Sequence, residues 1–178
     1  MLQTERLVLR PWAPSDATEL LPILEVNHAY LAPWIPARVA TPVPVPQLEE
    51  RLTGFATNFV NDVEWRFAIR RLENAQLLGE VGLFPRDASA RVPLASADRV
   101  EVGYWLRADA MGQGVINEAA RAAIAWASAE RRISLVELHC DSRNAPSVAV
   151  ARRLGFTLSR SDDATHAFTW SLSLASHE

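Results

Sequence analysis

The chain is expected to fold in the α/β (α+β) class, as a central mixed sheet of about seven strands flanked by about four helices. Three observations carry this expectation. Short runs alternating apolar and polar residues, some joined by polar turns, read as antiparallel strands. Between Arg99 and Ser159 the order is strand, glycine turn, helix, strand, helix, strand, and a strand–helix–strand crossover requires parallel pairing. The 178 residues are 49% hydrophobic, enough to build a sizeable core, and residues 1–178 are read as one domain.

The elements follow in order. Thr4 to Trp12 alternates Leu7 and Leu9 against Arg6, Val8 and Arg10, and reads as a first strand. Pro14-Ser15-Asp16 opens a helix, with Ser15 or Asp16 as N-cap and Glu19 in its first turn. Residues 30–46 are proline-rich and read as a rigid loop or short turns. Gln47 to Phe59 carries Leu48, Leu52, Phe55 and Phe59 at helical spacing. Strands at Glu64–Arg70 and Leu77–Phe84 are joined by a polar turn at Glu73-Asn74, and Pro85–Ala97 is a polar loop. Arg99–Arg107 is a strand, Gly114–Arg131 a long alanine-rich helix, and Ser134–Cys140 a β-rich run. A short helix at Ala145–Leu154 and strands at Phe156–Ser159 and Ala167–Leu174 complete the chain.

Composition excludes several chemistries. The net charge is -3, so nothing favours nucleic acid or an anionic membrane as partner. No apolar run is long enough to span a bilayer and no signal segment opens the chain, so a cytoplasmic protein is expected. All 18 basic residues are arginine. Without lysine there is no P-loop, no protein-kinase site and no Schiff base. The single Cys140 excludes disulfide frameworks and Cys-rich zinc sites. His28, His139, His166 and His177 lack the spacing of a helical zinc pair, so no metal is expected.

The segment most suggestive of chemistry follows the strand that ends at Arg107. Gly112-Gln113-Gly114 permits a tight turn whose amides converge, and the first amides of the next helix have no partner inside it. Together with the helix dipole they make an anion site. Three readings compete. A dinucleotide fingerprint would want glycine where Asn117 stands, and Glu137 falls inside the next strand, not at its end. The second reading is an ordinary strand-to-helix turn, and the third a coenzyme A pyrophosphate site.

Several fragments, in this order, resemble the RimJ/RimL-like branch of the GNAT acetyltransferases. They are Thr4-Glu5-Arg6-Leu7-Val8-Leu9-Arg10-Pro11, Leu78-Gly79-Glu80-Val81-Gly82-Leu83 and Glu101-Val102-Gly103-Tyr104-Trp105-Leu106. The last runs into the glycine turn and Asn117-Glu118-Ala119, and is followed by Asn144-Ala145-Pro146-Ser147 and Arg152-Arg153-Leu154-Gly155-Phe156. The resemblance implies a GNAT fold with a splayed sheet, whose fourth and fifth strands part to admit the pantetheine arm of acetyl-CoA. It places the co-substrate against Trp105, Leu106 and Arg107, the turn residues Met111, Gly112, Gln113, Gly114, Val115, Ile116 and Asn117, and Asn144 with Ser147. It implies transfer of an acetyl group to a primary amine (protein N-terminus, amino acid or small amine) by direct attack in a ternary complex. A homodimer is carried as an option. Asp109 departs from the family, which often has Gln or Arg there, so the backbone must do more of the phosphate binding.

The reaction sets further demands. A lysine amine titrates near ~10.4 and an α-amine near ~8, so a proton must leave before attack. Glu101, which interrupts the apolar run Val100–Leu106, is the first candidate base and Glu80 the second; a salt bridge to Arg99 or Arg107 is the alternative for Glu101. The resemblance suggests a backbone amide near Trp105 and Leu106 for the oxyanion, freed by a bulge at Gly103. Relatives often carry a tyrosine where Ala151 stands, which leaves Ser147 as the nearest hydroxyl, donating a proton to the leaving thiolate or orienting it. Asn144 either holds the pantetheine amides or simply caps the following helix. His139 lacks a sequence-adjacent triad partner, Cys140 reads as a small hydrophobe, and Trp34 as an acceptor-pocket wall or a core plug. An acyl-CoA-sensing module without turnover is the alternative function, and a nucleotide-dependent α/β enzyme is a third.

Overall fold

The computed structural model describes residues 1–131 and 133–174. His177, considered above, lies outside the described residues. The strands are β1 (Leu2–Gln3), β2 (Leu7–Pro11), β3 (Trp65–Arg71), β4 (Leu77–Arg86), β5 (Arg99–Leu106), β6 (Leu135–Asp141), β7 (Thr157–Asp162) and β8 (Ala167–Ser173). The helices are α1 (Ala17–Leu31), α2 (Ala37–Ala40), α3 (Val45–Val60), α4 (Val115–Arg131) and α5 (Ala145–Arg153). They form one mixed sheet in the order β1-β2-β3-β4-β5-β6-β8-β7, with the pairing antiparallel except between β5 and β6. This is the expected α/β architecture.

The additional strand and helix have local causes. The Thr4 hydroxyl accepts from the Leu7 amide at 3.0 Å, which turns the chain at Thr4–Arg6. Leu2–Gln3 thereby folds back on Val8 and Leu9, and the strand expected from Thr4 begins at Leu7. In the proline-rich stretch α1 persists to Leu31, α2 forms a single turn, and Pro44 caps α3, so that helix begins at Val45 and not at Gln47.

Period-two alternation divides the sheet into two faces. Trp65, Phe67 and Ile69 of β3 join Val100 and Val102 of β5 in one buried cluster. Against it α4 sets Val115, Ile116, Ala119, Ala120, Ala123, Ile124 and Ala127, a face of mostly alanine that lets the helix axis approach the strands closely. Ala68 and Trp105 point the other way, into the cluster formed with α1 and α3.

The decisive feature lies between β5 and β6. They pair only at Val100↔Val136, Glu101↔Glu137 and Val102↔Leu138. Beyond Val102, β5 stays paired with β4 as far as Leu106, while β6 pairs with β8 as far as Asp141. A gap therefore opens in the middle of the sheet, as a splayed sheet requires.

Candidate active site

The glycine turn lies at the mouth of this gap. Gly112 and Gly114 have φ of 73° and 76°, the left-handed region where a β-carbon is strained, which explains glycine at both positions. The Met111 amide donates to the Ala108 carbonyl at 3.2 Å and closes a short 3-10 turn, so open amides begin one residue later than expected. Among the described residues, the amides of Gly112 through Asn117 make no hydrogen bond, and they sit at the positive end of the α4 dipole.

The turn is held from behind. Glu118, in the first turn of α4, accepts from the Thr4 hydroxyl at 2.6 Å, the Arg6 amide at 2.9 Å and the Arg6 guanidinium at 2.7 Å. Arg6 also donates to the Gln113 carbonyl at 3.0 Å. Nothing in the sequence pattern pairs residues so far apart. Asp109 is held by the Arg107 guanidinium at 2.6 Å, so its negative charge faces a cation two residues away.

Two cavities meet at the gap. The larger, about 500 Å³, is walled by every anticipated co-substrate residue except Arg107 and Gln113. Those two perform structural work, Arg107 on Asp109 and Gln113 on the Asp109 carbonyl at 2.8 Å. The smaller cavity, about 280 Å³, is lined by Glu80, Glu101, Arg38, Arg66, Arg91 and His139 among others. Trp34, Ile35, Tyr104, Trp105, Asn144 and Ser147 belong to both and form the neck between them. Trp34 is 40% exposed and is therefore a wall, not a core plug.

Side-chain bonding separates the two candidate bases. Glu80 is buried, and accepts from Trp12 Nε1 at 2.6 Å and from Arg66 at 2.7 Å. Arg66 also bonds Glu64 at 3.0 Å and lies over the rings of Phe55 and Phe84. Glu101 is less enclosed and accepts from Arg86 at 3.0 Å and Arg91 at 2.9 Å. Its ion pairs are thus formed with Arg86 and Arg91, while Arg99 pairs with Asp98 and Glu137. His139 has its carboxylate partner after all. Glu137, two residues earlier on the same face of β6, stands 2.9 Å from its Nε2, and Arg86 also approaches that nitrogen at 2.9 Å. A single nitrogen cannot donate to one and accept from the other, so the tautomer selects between them.

At the neck, Asn144 caps α5, its Oδ1 accepting from the Ser147 amide at 3.2 Å. Burial pushes the Cys140 thiol up, in keeping with an unreactive side chain. Five buried side-chain polar atoms among the described residues lack a partner, and three of them, Tyr104 Oη, Trp105 Nε1 and Asn117 Oδ1, belong to residues that line the larger cavity. Among the described residues no group of three or more His, Cys, Asp or Glu is placed to hold a metal ion, and no helix is long and apolar enough to cross a membrane.

Comparison with known proteins agrees with this architecture. The profile of the Acetyltransferase (GNAT) domain family matches residues 6–157. "Probable N-acetyltransferase YjcK" of Bacillus subtilis (strain 168) is 25% identical over 88% of this chain and 83% of its own length. Among solved structures, the microcin C7 self-immunity acetyltransferase MccE, in complex with acetyl-CoA and AMP, superposes with a TM-score of 0.80 at 18% identity, covering 96% of this chain and 94% of that one. The ribosomal L7/L12 alpha-N-protein acetyltransferase RimL, in complex with coenzyme A, gives a TM-score of 0.79 at 17% identity, covering 96% of each chain.

Proposed function

Since the chain belongs to the acetyltransferase (GNAT) domain family and is an acyltransferase, we propose that it moves an acetyl group from acetyl-CoA to a primary amine, within one domain spanning residues 1–178. The acceptor class is a protein N-terminus, an amino acid or a small amine. The observation that carries the reading is the open sheet with a turn of unpaired amides at its mouth. The pyrophosphate is assigned to the amides of Gly112–Asn117, and the pantetheine arm to the gap beside Gly103–Leu106, where the β5 edge has no strand partner. The acetyl group then reaches the neck, and the amine enters from the smaller cavity past Trp34.

Both partners meet in a ternary complex, and the amine attacks the thioester directly. A β5 amide near Trp105 or Leu106 receives the developing oxyanion. Glu101 takes the amine proton through water; Glu80, buried between Arg66 and Trp12, serves the ion-pair network instead. The reading calls for no metal, because hydrogen bonding activates the carbonyl.

The test is release of free thiol from acetyl-CoA by purified protein, across a panel of amino acids, small amines and peptides with free N-termini. No release above background for any acceptor would sink the reading. Within an active system, Glu101→Gln is expected to lower kcat about 100-fold at neutral pH, the low end for proton transfer because two guanidinium groups already engage this carboxylate. Coenzyme A affinity, measured by calorimetry, should stay unchanged. Unaltered kcat would remove Glu101 from the assignment.

A further inference from the structure

We infer that the amine acceptor carries a carboxylate of its own, and that the Arg38 guanidinium receives it at the rim of the smaller cavity. The inference rests on the acetyl-transfer reading above. Its ground is the pairing of charges around that cavity. The side chains of fixed charge on its wall are Arg38, Arg66, Arg91, Glu80, Glu101 and Asp141. Arg66 bonds Glu80 at 2.7 Å, Arg91 bonds Glu101 at 2.9 Å, and Asp141 is held by Arg143 at 2.6 Å. Arg38 has no such partner: among the described residues it makes neither an ion pair nor a hydrogen bond. The charge left over on the wall is therefore positive. A guanidinium keeps its proton at any working pH, so that charge is permanent.

The fold also places Arg38. It stands on α2, the single turn that follows the Trp34-Ile35-Pro36 wall. Val39 and Ala40 of that turn are buried, and Arg51 donates to the Val39 and Thr41 carbonyls at 3.3 and 3.2 Å. The turn is thus fixed from within, while the exposed Arg38 side chain lines both the smaller cavity and an open groove along α3. Partial loss of water brings Arg38 below the ordinary arginine value, and the charges of Arg66 and Arg91 press the same way. Glu64 and Glu80 oppose them, but both already bond Arg66. A further anion at the rim relieves this repulsion.

The charge of the acceptor now decides what fits. Near neutral pH an amine arrives mostly as an ammonium ion. A cavity of about 280 Å³ with a surplus positive charge opposes a bare cation. An acceptor that also carries a carboxylate meets both charges, its ammonium towards Glu101 and its carboxylate on Arg38. The planar guanidinium fork matches the two carboxylate oxygens. One uncommitted cation balances one negative charge, which suits a carboxylate better than a doubly charged phosphate. Polyamines are the acceptors least suited. The carboxylate has two sources: the α-carboxylate of a free amino acid, or an acidic side chain near the N-terminus of a peptide.

The experiment measures kcat and KM by acetyl-CoA thiol release for wild type, Arg38→Gln, Arg38→Lys and Arg38→Glu. One matched pair sets free amino acids against their α-amides. The other sets C-terminally amidated peptides with glutamate among the first two residues against the same peptides with glutamine there. Dividing the wild-type preference by the variant's cancels the difference in amine reactivity within a pair. Wild type should favour the carboxylate in one pair, and that pair identifies the source. Arg38→Gln should cut the preference by about 5- to 20-fold, acting through KM. Arg38→Lys should keep part of it. Arg38→Glu should reverse it and raise kcat/KM for spermidine. Added salt should shrink the wild-type preference, because the rim is open to solvent. A preference in neither pair, or one that survives Arg38→Gln, overturns the inference. So does a loss confined to kcat, which would make Arg38 a structural residue, and so does O-phosphoethanolamine outperforming both carboxylate acceptors. A wild type that releases no thiol with any acceptor instead takes down acetyl transfer itself, and the inference with it.

Discussion

On one side β5 pairs with β4 through eight consecutive residue pairs, from Gly79↔Leu106 to Arg86↔Arg99. On its other side it meets β6 through three and then parts from it. The two sides also treat polar groups in opposite ways. Under the closed half, Arg66 bridges Glu64 and Glu80, Trp12 completes Glu80, and Arg10 with Arg70 holds Asp16. Beside the open half, Tyr104, Trp105 and Asn117 keep unpaired polar atoms and the amides of Gly112–Asn117 have no acceptor among the described residues, whereas in the closed half Arg70 keeps its Nε unpaired. The closed half spends most of its hydrogen-bonding capacity on the fold. The open half holds capacity in reserve for a ligand, which locates the function at the split of the sheet.

Breaking the closed half should give the largest loss. Arg66→Leu leaves Glu64 and Glu80 buried without their cation, and removing one member of such a group typically costs about 3–5 kcal/mol. Chemical denaturation should show that loss, and a change below about 1 kcal/mol would mean that water reaches the network.

An intermediate effect is expected at the mouth of the open half. Gly114→Val forces a β-branched residue into left-handed backbone, at about 1–2 kcal/mol of stability. The larger consequence is functional: the displaced amides should lose coenzyme A affinity by at least about 10-fold, or about 1.4 kcal/mol. Calorimetry reads this directly. Normal affinity in a folded Gly114→Val protein would show that the phosphates bind elsewhere.

The mildest separation of the two halves comes from pH. Burial by itself would raise Asp16 and Glu64, but the hydrogen bond from Arg10 in one case and the charge of Arg66 in the other bring both below the ordinary carboxylate value. Their stabilisation is complete above the unfolded value of about 4 and is lost as pH falls through the lower folded values. The Tyr104 phenol is displaced the other way, mainly by burial. The unfolded chain ionises it first, so its contribution is lost as pH rises past about 10. Melting temperature against pH should therefore fall at both ends. Arg66→Leu should flatten the acid limb, and Tyr104→Phe the alkaline one.

Much of this contrast was legible in the chain itself. The alternation around Leu7 and Leu9, the alanine-rich helix after the turn and the two glycines of the turn each obey a local rule, so each lies close to its expected place. Tyr104 did not, because a tyrosine between Gly103 and Trp105 reads simply as strand. Only its burial without a partner separates it from any other aromatic. Glu137 and His139 meet because residues two apart share a face on a strand, a pairing that adjacency along the chain does not display.

Periodicities and the turn that needs left-handed backbone are written into the chain, since they depend on steric and hydrophobic preferences of neighbouring residues, and the absence of lysine is a matter of composition alone. Tertiary structure alone decided that β8 enters between β6 and β7, that Thr4 and Arg6 brace Glu118, and that Glu101 meets Arg86 and Arg91 and not the arginines nearest it in sequence. Hydrogen bonds and ion pairs act over a few ångströms whatever the separation along the chain, so their partners exist only once the sheet has been assembled.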